Sequence, residues 1–188
     1  MERTEIARTL EEIETLQRGT RQTLQSFWFP LVVFGAITLL SSPFFLAGDG
    51  SAGGLFWAVA GPAGGIVTGT YYARREDDLG ISRPPAPYIV VAVGIMVGAF
   101  GLPLLTSGDL QQVVSNFAVA AGYLGFAAIE RDARIAAIAA VIAIVPLAML
   151  AIAPDSAGPV TAVVTGSVLL ASGLSFRRSQ AAQARALA

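Results

Sequence analysis

The chain has 188 residues, of which 54% are hydrophobic and 13% charged, and a mean hydropathy of +0.66. That is too apolar for a water-soluble domain of this length, and a formal net charge of −1 supplies no field for nucleic acid. With no Cys, His or Lys, the sequence excludes disulfides, thiolate and imidazole metal sites and Schiff-base chemistry.

The first 26 residues are charged and lack a short apolar core with a small-residue cleavage site, so they do not read as a removable signal peptide. Ile6, Leu10, Ile13, Leu24 and Phe27 fall on a seven-residue pattern whose intervening places are Gln17 and Thr20. This predicts a short amphipathic helix with one apolar stripe, on which Ile6, Leu10 and Ile13 are candidate partner-docking positions. Five acids against four arginines here argue against strong electrostatic attachment to anionic lipid. Gly19, Gln17 and Thr20 weaken a long coiled coil, leaving surface attachment or extension of the first span as alternatives.

Six apolar segments follow, near 27–47, 52–72, 86–106, 111–129, 135–153 and 157–176. A hydrocarbon slab of roughly 30 Å needs about 20 apolar residues per crossing, so six spans use nearly the whole chain. All twelve basic residues are arginines, and they lie before the first segment, between the second and third, between the fourth and fifth, and after the sixth. Since cytoplasmic loops retain basic residues during insertion, the pattern predicts both termini in the cytoplasm. The expected organisation is a cytoplasmic helix over 1–26, a six-helix transmembrane domain over 27–176 and a cytoplasmic tail over 177–188. Phe27, Trp28, Tyr71, Tyr72 and Tyr88 cluster at the predicted cytoplasmic boundaries, where aromatic rings sit at headgroup level. Arginine without lysine, beside abundant Ala and Gly, suggests a GC-rich bacterial genome and hence a bacterial plasma membrane.

The connections on the other side are short: GDGS, SGDL and PDSA. They predict an all-α integral membrane protein whose helices form three antiparallel hairpins. Asp49, Asp109 and Asp155 each precede a helix and read as N-terminal caps, with Ser51 and Ser156 as competing caps; a ring of carboxylates for cations is the alternative. PFFLAGD over 43–49 and PLLTSGD over 103–109 raise the prospect of a repeated two-helix unit, although Pro, Gly and Asp also end helices in any short turn. Arg74, Arg75, Glu76, Asp77 and Asp78, followed by LGISRPPAP, read as a solvated turn.

Within the spans the most specific pattern is Gly61, Gly65 and Gly69, a small-residue stripe on one helical face. Gly94 and Gly98 repeat the spacing, as do Ala118 with Gly122 and Ser167 with Ala171 and Ser175. Such faces admit a second backbone closely, either inside the bundle or between copies of the chain. Pro62 beside Gly64 suggests a broken helix as a further option.

No ionisable residue lies inside the proposed spans, which removes the usual marker of a proton relay or ion pathway. The polar residues that remain, including Thr161 and Thr165, suit local or interhelical hydrogen bonds; Thr68, Asn116 and Tyr123 are the candidates for lining a solute path. No nucleophile with a base, metal cluster or paired carboxylate assembles from these segments, so no enzyme, metal or cofactor is expected. The partners expected are the lipid bilayer and a second copy of the chain or another membrane protein. Function is expected to be that of a non-enzymatic accessory, regulatory or scaffold protein acting through helix association. The alternative is a small facilitator or channel for an uncharged or weakly polar solute.

Overall fold

The computed structural model describes residues 27–46, 51–80, 84–106 and 110–186, and every regular element among them is helical. The docking positions Ile6, Leu10 and Ile13 and the turn carboxylates Asp49 and Asp109 lie outside the described residues. The α-helices are α1 (Trp28–Leu46), α2 (Ser51–Leu79), α3 (Ala86–Gly101), α4 (Leu110–Glu130), α5 (Ala133–Ile152) and α6 (Ala157–Ala186). Single 3-10 turns, Leu102–Leu105 and Pro154–Ser156, follow α3 and α5.

Five of these helices, α1, α3 with its 3-10 extension, α4, α5 and α6, are long and apolar enough to cross a membrane. The remaining helix, α2, is long enough at 29 residues but less apolar. Gly53, Gly54, Gly61, Gly64, Gly65 and Gly69 dilute its hydropathy, and its last turns carry the charge run from Arg74 to Asp78.

Local chemistry accounts for the helix ends. Pro30 occupies the first turn of α1, where no intrahelical N–H is needed. Pro87 does the same for α3. The α4–α5 reversal turns on Arg131, which adopts a left-handed φ of 54°. The Asp132 N–H then bonds the Ala127 carbonyl at 3.2 Å, a Schellman closure of α4. Asp132 Oδ1 accepts the Arg134 N–H at 2.9 Å and caps α5. Of the aspartates expected as caps in the opposite turns, Asp155 alone lies among the described residues. Asp155 falls within the 3-10 helix, and Ser156 Oγ donates back to the Ala153 carbonyl.

Two expectations are corrected. The charge run from Arg74 to Asp78 is helical, not a turn: α2 continues to Leu79 and ends at Gly80, whose φ of 62° only glycine adopts freely. Arg75 Nη1 donates to the Tyr71 hydroxyl at 2.8 Å, one turn back, which favours the extension. The second span is also not broken at Pro62, since α2 runs through it. The helix α6 also extends ten residues beyond 176, which leaves the expected tail over 177–188 untouched as an assignment while giving it a helical start. The two PxxxxGD-like stretches differ as well: Pro43 lies inside α1, Pro103 in a 3-10 turn.

The core is built by α1, α4, α5 and α6. Phe27, Leu31, Ala120, Tyr123, Ala127, Ile135, Ile138, Ala139, Ile142 and Leu169 form one buried cluster. The most extensive interface joins α1 to α6; α4 packs on α5, and α5 on α6. The other two helices are peripheral: α2 leans on α1 and α3 on α4, and α3 has no buried residue.

At one end of the bundle the start of α1 meets the ends of α2 and α6. Trp28 lies 5.9 Å from Tyr71 between ring centroids, and the Arg177 guanidinium stands 5.2 Å over the Trp28 ring. At the same end Arg134 of α5 stacks 4.5 Å over Phe176. There too the Tyr88 hydroxyl of α3 donates to Glu130 Oε1 of α4 at 2.7 Å.

Candidate functional site

The glycines divide into two groups by what surrounds them, and this division locates the candidate site. Where helices pack, the missing Cβ is what permits contact. A Cβ on Gly35 of α1 would stand 2.7 Å from the Leu170 nitrogen and 3.1 Å from the Gly166 carbonyl oxygen of α6. Equivalent atoms on Gly166 and Gly173 would stand 2.8 Å from the Leu39 nitrogen and 2.9 Å from the Trp28 carbonyl oxygen. Real Cβ atoms do not approach backbone so closely, so the α1–α6 seam is a backbone-to-backbone contact that requires glycine at all three positions. Seen along α6, Gly166 and Gly173 are seven residues apart and share one face.

A second packed set joins α3 to α4. A Cβ on Gly98 would stand 2.8 Å from that of Ala118, and one on Gly125 3.0 Å from Val91; Gly122 faces Ile95. Gly64, next to Pro62, receives Ile37 and Phe34 of α1.

Gly65, Gly69 and Gly94 are different: a Cβ at any of them would have no neighbour within 4 Å. Gly61, by contrast, is buried, with the Trp57 ring at 3.8 Å and the Phe100 ring at 3.9 Å from the added Cβ. Of the five glycines singled out in the sequence, then, Gly98 packs inside the chain, Gly61 is buried, and Gly65, Gly69 and Gly94 face open space. Around them the surface is apolar, with Ile66 of α2 and Val90 of α3 each 70% exposed. Nearby, a groove of about 360 Å³ runs between α1 and α2, walled by Phe44, Leu55, Phe56 and Val59. The Ser167, Ala171 and Ser175 stripe of α6 is also exposed, because Gly166 and Gly173 turn the neighbouring face toward α1.

The polar candidates are not gathered into a path. Thr68, on α2, has a buried hydroxyl with no hydrogen-bond partner. Asn116 uses its amide on its own helix, donating to the Gln112 carbonyl at 2.8 Å. Two turns further along α4, Tyr123 is buried, with ring centroids 6.1 Å from Phe27 and 6.4 Å from Phe126. Asn116 and Tyr123 therefore share a face of α4, while α2 and α4 form no substantial interface. Between the core helices, Leu31, Ile135 and Ile142 fill the space and are each at most 2% exposed.

Sequence reasoning missed three structural groups. Gly166 with Gly173 carried a usable signal in its two-turn spacing. Asp132, directly before an apolar run, was a legible cap. The Tyr88–Glu130 bond joins residues 42 apart, and no local pattern announces it. Among the described residues no three acidic side chains converge as a metal site. No protein-family model, curated protein or solved structure matches the chain.

Proposed function

We propose that the chain is a six-span protein of a bacterial plasma membrane, with both termini cytoplasmic, that works by associating with another transmembrane helix across the face of α2 and α3. The observation that carries this reading is the open space at Gly65, Gly69 and Gly94, beside closely packed glycines elsewhere in the same chain. In lipid there is no hydrophobic drive between helices, and bare backbone is what a second helix packs against most closely. The occupant proposed is a second copy of the chain or another membrane protein. The convergence of Trp28, Tyr71 and Arg177 at one end, with Tyr88, Glu130 and Arg134 there too, is in keeping with helices that alternate in direction as three hairpins.

The role is accessory, regulatory or scaffolding, not catalytic. A facilitator of weakly polar solutes has less in its favour, because Leu31, Ile135 and Ile142 occupy the interior that a path would need.

The test compares the wild type with the Gly65→Leu, Gly69→Leu double variant in lipid nanodiscs and bilayers, using energy transfer between labelled copies and the set of co-purifying membrane proteins. A Cβ at either position has no neighbour within 4 Å in the same chain, and a melting curve of the double variant checks that folding is kept. Association is expected to weaken roughly tenfold, the value of a helix contact of about 1–2 kcal/mol. Association unchanged by both leucines overturns the reading.

A further inference from the structure

At the end of the bundle opposite Trp28 and Arg177, the first turns of α4 and α6 and the last turns of α5 enclose a cavity of about 40 Å³. Gln112, Pro146, Leu150, Ala157, Gly158 and Thr161 are among its walls. By this measure a water takes roughly 10–15 Å³, so the space admits about three.

Thr161 lines this cavity, is 3% exposed, and has a hydroxyl with no hydrogen-bond partner. One turn deeper on the same face of α6, the Thr165 hydroxyl is in the same condition at 5% exposure. A helical threonine ordinarily donates to the carbonyl one turn back, as Thr38 does to Phe34 at 2.6 Å. Across the cavity the Gln112 side chain turns toward α6, with Oε1 3.3 Å from where a Gly158 Cβ would lie. Pro146, without an N–H, leaves the Ile142 carbonyl with no donor from its own helix.

The walls also define the charge of the occupant. None of the described lining residues is ionisable. The positive ends of α4 and α6 and the negative end of α5 border the same space, so the partial charges of the helix ends oppose one another and no full charge is present to hold an ion. A neutral molecule that both donates and accepts suits these groups.

We propose that this cavity is a binding site for a small neutral hydrogen-bonding ligand, occupied by a water cluster that bridges the Thr161 hydroxyl to the Gln112 side chain and so couples α4 to α6. The site is independent of the association face on α2 and α3.

The experiment is a thermal-melting cycle in nanodiscs with Thr161→Val, Thr161→Ser, Gln112→Met and the Thr161→Val, Gln112→Met double variant. Valine keeps the shape of threonine and removes only the hydrogen-bonding group. If water bridges the two side chains, Thr161→Val lowers Tm by about 2–5 °C, Thr161→Ser keeps most of the stability, and the double variant loses clearly less than the sum of the single losses. A Thr161→Val protein that melts at or above the wild-type temperature overturns the proposal, since deleting a truly unpartnered hydroxyl relieves a cost. Strictly additive losses overturn it too, because they place the hydroxyl on its own helix.

Discussion

The Ser115 hydroxyl of α4 lies 2.9 Å from the Ala99 carbonyl oxygen of α3 and donates to it. That carbonyl is the one Pro103, four residues on, cannot serve, because proline has no N–H. The same hydroxyl also lies 3.0 Å from the Gln111 carbonyl of its own helix, so its one proton serves an interhelical and a local acceptor at nearly equal distance. Where water is excluded, a backbone acceptor without its helical donor is costly, and a neighbouring side chain can take that donor's place. The proline that tightens the end of α3 thereby creates the acceptor that holds α3 to α4.

Replacing Ser115 with alanine removes that donor. The expected loss is about 1–2 kcal/mol of stability. Ser115→Thr retains the hydroxyl and is expected to stay near wild type, and the pair is compared by thermal melting in nanodiscs. Equal melting temperatures for Ser115→Ala and the wild type would show that the Ala99 carbonyl needs no partner from α4.

The α1–α6 seam makes a sharper demand. Alanine at Gly35, Gly166 or Gly173 puts a methyl group within 3 Å of backbone atoms of the facing helix. Backbone cannot yield as a side chain can, so each substitution is expected to cost about 1–3 kcal/mol through overpacking. Alanine at Gly65, Gly69 or Gly94 meets no atom and is expected to leave monomer stability unchanged or raise it through helix propensity. Unfolding in mixed micelles distinguishes the two groups, and a uniform response would contradict the packing described for α1 and α6.

Asp132 carries a third expectation. It accepts the Arg134 N–H at 2.9 Å while its other oxygen pairs with the Arg134 guanidinium at 3.1 Å. The ion pair is largely solvent-exposed on the arginine side and adds little; the cap is the larger contribution. Asp132→Ala is therefore expected to cost about 1 kcal/mol, whereas Asp132→Asn, which caps equally well without charge, keeps most of it. Matching losses for alanine and asparagine would assign the effect to charge instead.

Hydropathy alone located the apolar segments well. The first segment, read as 27–47, is Trp28–Leu46, and the fourth, read as 111–129, is Leu110–Glu130. Charge is a poor guide to helix ends here: Arg74 to Asp78, which read as a turn, are helical, and α6 runs on through Arg177 to Arg185. Ionisable residues end a hydrophobic run without ending a helix, whose backbone bonds continue wherever propensity allows. Which small-residue face of α6 packs was not legible either. Gly166 with Gly173 and Ser167 with Ala171 and Ser175 lie about 100° apart on the helix, and only the presence of α1 selects between them.

The α1–α6 seam also sets an order of events during synthesis. Ser42 of α1 donates to the Pro159 carbonyl of α6, 117 residues later, at 3.4 Å, and the Gly35 face lies against Gly166. At about 5–20 residues per second, the ribosome needs on the order of 6–23 s to cover that separation. Throughout that interval the most tightly packed face of α1 lacks the helix it packs against in the finished fold. The core closes only when the last helix arrives, so a nascent chain halted after α5 holds its first helix without its principal partner.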